Sequence, residues 1–164
     1  MDFDPVTFVS RWLHIVAAVA AAGGAIFMKL ALHPAAETLP EEPRRALKEA
    51  VRSRWAKVVM IAITVLLATG LFNFITIVKR YDFAGTPYHM VFGIKFLLAM
   101  IIFFLASVLV GRSDLAKRAR EKAGSWLTLL VALIVVLLAL SSFLKVLPHK
   151  DKVAPPAAAV ESPG

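Results

Sequence analysis

Apolar residues in this chain are gathered into four long blocks, divided by short charged stretches. The first block runs from about 6 to 32, and its centre, 15–28, carries no charge. The second covers about 58–78 and is uncharged. The third, about 88–110, holds a single charge, Lys95. The fourth covers about 124–147. A helix needs about 20 mostly apolar residues to cross the hydrocarbon core of a bilayer, and each block is long enough. Strands of a membrane barrel would alternate polar with apolar positions, and these blocks do not. The pattern predicts an all-α integral membrane protein, an antiparallel four-helix bundle over 1–147. The tail over 148–164 is rich in Pro and Ala and is expected to be disordered.

The chain has 164 residues, of which 59% are hydrophobic, above the roughly 45–50% of a soluble domain. The excess needs an apolar solvent, so the lipid bilayer is the first partner. There is no cysteine, which excludes disulfides, thiolate metal sites, iron–sulfur clusters and covalently attached haem. The net charge of +8 does not point to nucleic acid, because the basic residues sit at the ends of the apolar blocks. Arg44, Arg45, Lys48, Arg52, Arg54 and Lys57 lie between the first two spans, and Arg112, Lys117, Arg118, Arg120 and Lys122 between the last two. Between the second and third lie only Lys79 and Arg80. The bias predicts that the two basic loops are cytoplasmic, with both termini outside a multi-pass inner (plasma) membrane protein. The acidic start Met1-Asp2-Phe3-Asp4 is unlike the basic start of a signal peptide.

The first basic loop, 41–57, is expected to be a helical extension of the second span. Thr38 followed by Glu41 fits a capping box, and Arg45 is spaced to pair with Glu49. Such a helix is a solvated charged face, or a surface for anionic lipid or a partner. Lys29 near the inner end of the first span is expected to snorkel to the interface. Trp12, Trp55, Trp126, Tyr81 and Tyr88 fall at span ends and are read as interfacial anchors.

Polar groups inside a membrane are costly, so each one asks for a reason. His14 in the first span and Lys95 in the third, which runs the same way, both fall roughly 10 Å below the outer surface. Asn73 in the second span and Ser141 and Ser142 in the fourth lie near that depth. Arg11 sits about one turn above His14. Taken singly, each residue has a plain role: snorkelling for Lys95, an inter-helix bond for His14 or Asn73. Their shared depth makes His14, Arg11, Asn73 and Lys95 the candidate site. The run Ala17-Ala18 through Ala25, almost free of large side chains, suits close helix packing or a flat ligand.

The stretch Trp12-Leu13-His14-Ile15 with Gly24 beyond it, and the run His89-Met90-Val91-Phe92-Gly93-Ile94-Lys95, resemble the first and third helices of a family of small bacterial membrane proteins. That family is the haem-binding, oxygen-independent type of protoporphyrinogen oxidase, related in style to the copper-resistance D membrane family. In it a first-helix histidine and a third-helix lysine form the functional pair, and His14 and Lys95 match them. The resemblance implies haem b held by His14 as the metal ligand, Arg11 and Asn73 beside the cofactor, and Lys95 as the catalytic residue. It also implies an oxidoreductase that takes electrons from a porphyrin precursor and passes them to a quinone.

An unprotonated imidazole is a good axial ligand to haem iron. With no second histidine at matching depth, a five-coordinate haem, or one shared between copies in a homo-oligomer, fits better than a bis-histidine haem, unless His89 reaches in. Two other readings stay open. One is a non-catalytic small subunit or scaffold of a membrane complex, with His14 and Lys95 as contacts. The other is copper transport or tolerance, for which His89, Met90 and Met100 are the available ligands. Whether the chain is an enzyme stays open with them. No Walker loop, Ser–His–Asp set or paired intramembrane carboxylates occur in the sequence.

Overall fold

Asp4 opens the first helix, accepting hydrogen bonds from the Val6 and Thr7 backbone N–H groups, with Pro5 in the first turn. Helix α1 (Pro5–Phe27) continues without a break through a π-helical segment, Met28–Leu32, into α2 (His33–Glu37). The widening has a local cause. Pro34 has no N–H and its ring crowds the carbonyl four residues earlier. The His33 N–H bonds back to the Met28 carbonyl, a five-residue step that accommodates the proline without breaking the helix.

The computed structural model describes residues 4–82, 88–148 and 150–151. After a short turn comes α3 (Glu41–Arg80), then α4 (Tyr88–Val110), the short α5 (Asp114–Glu121) and α6 (Ala123–Val146). Helix α3 has 40 residues, so it is about 60 Å long, roughly twice the hydrocarbon thickness. Its apolar half crosses and its charged half, 41–57, projects beyond. Four helices are long and apolar enough to span a membrane, and this is a multi-pass membrane protein. Large apolar side chains such as Val19 (66% exposed) and Leu30 (70% exposed) face outward, as a lipid solvent requires.

Neighbouring spans are antiparallel: α1 packs on α3, α3 on α4, α4 on α6, and α6 closes the ring on α1. The first and third spans therefore face each other across the diagonal. The tightest apolar core joins Ala25, Ile102, Leu105, Leu130 and Ile134 in the half of the bundle near the basic loops. The half near the termini carries the polar residues instead.

Several local expectations are corrected. Thr38 does not cap α3: its hydroxyl donates to the Ala35 carbonyl at 2.8 Å, closing α2, and Pro40 precedes α3 without a side-chain cap. Glu49 pairs with Arg52 rather than Arg45. The loop between the last two spans is helical, because Ser113 caps α5 through the Ala116 N–H at 3.2 Å. Trp55 lies over Gly24 of α1, and Trp126 packs against the apolar core, so both half-buried rings also take part in packing. Lys29 donates to the Gly124 carbonyl at 3.1 Å, tying the π segment to the start of α6. Lys150–Asp151, within the expected tail, pairs antiparallel with Tyr81–Asp82. Residues 149 and 152–164 of that tail lie outside the described residues.

Candidate functional site

On α1 the polar positions Asp4, Thr7, Ser10 and His14 recur at three- and four-residue steps and so share one face. That face continues as Ala17 and Ala25, both buried. It lies against α3, whose matching positions are Asn73 and Thr69, followed by the buried Ala62 and Val59.

His14 is half-buried on this seam. Its Nδ1 lies 2.8 Å from Thr69 Oγ1, and Thr69 Oγ1 donates to the Val65 carbonyl at 2.6 Å. A hydroxyl has one hydrogen. With that hydrogen directed at the Val65 carbonyl, Thr69 is placed to accept from His14, which assigns a ring proton to Nδ1. In the neutral ring Nε2 then carries the free lone pair. The ring also lies against Gly70: a Cβ at that position would come within 3.2 Å of His14 Cε1. Glycine there lets the imidazole approach the α3 backbone, and the contact fixes the ring plane.

Lys95 is half-buried on α4 and lies within electrostatic reach of His14 across the bundle diagonal. Asn73 is half-buried one turn from Thr69 on α3, and its Oδ1 is fully buried with no hydrogen-bond partner. Ser10 Oγ, one turn from His14, is in the same condition. Arg11 is exposed, and its charge acts on Tyr88 at the start of α4 rather than at His14. His89 is edge-on to Tyr88 (5.9 Å) and to Phe74 (6.4 Å), whose ring stacks on Phe92 at 3.7 Å. These aromatic contacts hold it between α3 and α4 at the mouth of the bundle. Ser141 donates to the Leu137 carbonyl of its own helix at 2.7 Å, and Ser142 is exposed.

Lys95 is thus within electrostatic reach of His14, and Asn73 lies one turn along α3 from Thr69, the partner of His14. The fold leaves Arg11 on the rim. Thr69, Gly70 and Ser10 were missed by sequence reasoning. A helical four-residue step from Asn73 to Thr69 and from His14 to Ser10 was the available signal. Among the described residues no cluster of three or more His, Asp or Glu side chains is arranged to hold a metal ion.

An open groove of about 520 Å³ runs along the outside of the α1–α3 seam. Val6, Val9, Leu13, Ala68 and Phe72 give it apolar walls, and Ser10 and Thr69 also line it. No family model matches the chain, and no curated protein or solved structure is similar to it.

Proposed function

We propose that this membrane protein binds b-type haem through Nε2 of His14. The observation that carries the reading is the hydrogen bond from His14 Nδ1 to a Thr69 hydroxyl whose own hydrogen is committed to Val65. Histidines that ligate metals almost always donate the other ring N–H to a fixed acceptor, which sets the tautomer and the ring orientation. The donor set fits haem: a single neutral imidazole with a bare nitrogen, and a lysine at the same depth.

Bound haem would supply one-electron chemistry. The protein's own residues do the rest. His14 presents Nε2 in a fixed direction. Lys95 lies in a span with no Asp or Glu, and the described spans offer it no carboxylate, so a propionate or a porphyrin carboxylate is its natural counter-ion. Arg11, on the rim, would meet a second carboxylate nearer the surface. His89, edge-on to the Phe74 and Tyr88 rings, stands at the mouth of the bundle. Oxidation of a porphyrin precursor, with electrons passed to a quinone in a plasma membrane and the termini outside, is the reaction class this reading takes from the family resemblance.

The test is a haem titration of the purified protein in mild detergent. A Soret band saturating at one haem per chain, and weakened by Lys95→Gln, is expected. A spectrum identical to free haem in detergent would overturn the reading. A second reading has its own observation: the complete His14–Thr69 bond also works as an inter-helix clamp in a non-catalytic subunit of a membrane complex. That reading expects no haem uptake and loss of partner association in His14→Ala.

A further inference from the structure

Among the described residues two side-chain polar atoms are buried and unpaired, Ser10 Oγ and Asn73 Oδ1. They are not scattered. The His14–Thr69 bond fixes the antiparallel register of α1 against α3. Ser10 precedes His14 by four residues and Asn73 follows Thr69 by four, so each is one helical turn nearer the termini, at a common level on the facing sides of the seam. One turn further out, the Thr7 hydroxyl donates to the Asp4 carboxylate, and the Arg80 charge at the end of α3 reaches Asp4. Asp4, Thr7, Ser10 with Asn73, and His14 with Thr69 therefore form a polar stair from the bundle end into the membrane.

The stair stops at His14. Beyond it the same seam is closed by the buried Ala17, Ala62, Val59 and Ala25, and then by the Trp55 ring over Gly24. Polar access thus comes from one end only.

A hydroxyl and an amide oxygen left unpaired in a bilayer each cost on the order of 1–3 kcal/mol. A water molecule that accepts from Ser10 and donates to Asn73 removes both deficits, and such water needs two to four polar partners. Ser10 and Thr69 are also among the residues that line the open groove along this seam, whose walls are otherwise apolar.

From this we infer that a one-sided water path runs from the terminal end of the bundle, past Asp4 and Thr7, between Ser10 and Asn73, to the His14–Thr69 pair. The path is a property of the seam and does not depend on haem. It gives any ligand at His14 contact with water on that side of the membrane and none on the other.

The natural chain has no cysteine, so single-cysteine variants report directly. Thr7→Cys, Ser10→Cys and Asn73→Cys, reconstituted in lipid vesicles, are treated with a membrane-impermeant charged thiol reagent added to the side of the termini. Phe8→Cys, on an exposed face that does not line the groove, is the lipid-facing control at similar depth, and Ala17→Cys the control beyond His14. The reactive species is the thiolate, which needs water, so the three stair positions are expected to react about tenfold or more faster than both controls. Equal rates at Ser10→Cys and Phe8→Cys, or reaction at only one of Ser10→Cys and Asn73→Cys, would overturn the path. In the unaltered protein, water-to-protein magnetisation transfer by solid-state NMR is expected at Ser10 and Asn73 and not at Ala17. Its absence at both stair residues would overturn the path whatever the variants do.

Discussion

Thr69 Oγ1 sits 2.8 Å from His14 Nδ1 and gives its only hydrogen to the Val65 carbonyl at 2.6 Å. Two helices that are neighbours only through folding thereby decide which nitrogen of the imidazole is bare. Thr69→Val keeps the shape and removes the acceptor. It is expected to cost about 1 kcal/mol of bundle stability and to weaken haem retention by roughly ten- to a hundredfold. Thr69→Ser should retain most of both. Thermal unfolding in detergent and haem titration of the two variants make the check; equal haem affinity in the valine and serine variants would show that the tautomer does not matter.

Two adjacent glycines on α1 face different surroundings. A Cβ on Gly24 would run into the Trp55 ring, whereas one on Gly23 meets nothing within 4 Å. Gly24→Ala is expected to destabilise the bundle by about 1–3 kcal/mol through overpacking. Gly23→Ala should be neutral or slightly stabilising. The double variant Gly24→Ala, Trp55→Ala should recover part of the loss relative to the sum of the single changes, since the clash is gone. Strictly additive melting shifts would place the Gly24 effect elsewhere.

The end of α4 is held from two sides. Arg52 donates to the Val110 carbonyl at 3.0 Å, and Arg120 donates to the Gly111 carbonyl at 2.6 Å. Cations at a helix C-terminus satisfy its open carbonyls and complement its dipole. Arg120→Ala is expected to raise amide exchange over the last turn of α4 and in α5, leaving the first turns of α4 unchanged. Exchange measured by mass spectrometry checks this, and a uniform rise along α4 would point to global loosening instead.

Acid should loosen the start of α1. The Thr7 hydroxyl and the Thr7 backbone N–H bond to Asp4 and, with Arg80 nearby, hold its carboxyl below the usual carboxylate range. A lowered pKa means the cap contributes its full stabilisation above the ordinary carboxylate value. That contribution is lost as pH falls through the lowered one. The protection of the Val6 and Thr7 amides, their exchange rate compared with the intrinsic rate at each pH, is therefore expected to fall on acidification. Asp4→Asn, which still caps a helix but does not titrate, should abolish that pH dependence. A persisting dependence in Asp4→Asn would assign it to another group.

The four spans were legible because lipid demands long apolar helices, and the 41–57 extension because charge ends such a helix. The expectation that His14 and Lys95 share a depth rested on span direction and helical rise alone. Other features depended on tertiary contacts that no local pattern encodes. Thr38 and Glu41 matched a capping spacing, but Pro40 between them redirected the turn, and Thr38 served the preceding helix. The π segment required weighing Pro34 against an otherwise uninterrupted apolar run. Trp55 looked interfacial because it stands at a span end, yet Gly24 opens a seat for its ring. Thr69 and Ser10 were invisible as site residues because hydroxyls in membrane helices ordinarily bond their own backbone; only the α1–α3 register shows what they face.

The account stands on His14 Nε2 being a ligand rather than a packing atom. Its most direct test is the dithionite-reduced visible spectrum of His14→Gly protein supplied with haem, recorded without and with free imidazole. The account expects the b-type bands of the parent protein to be lost in His14→Gly and restored when imidazole enters the space the side chain left. Bands that persist in His14→Gly without imidazole, in a folded protein, would contradict it.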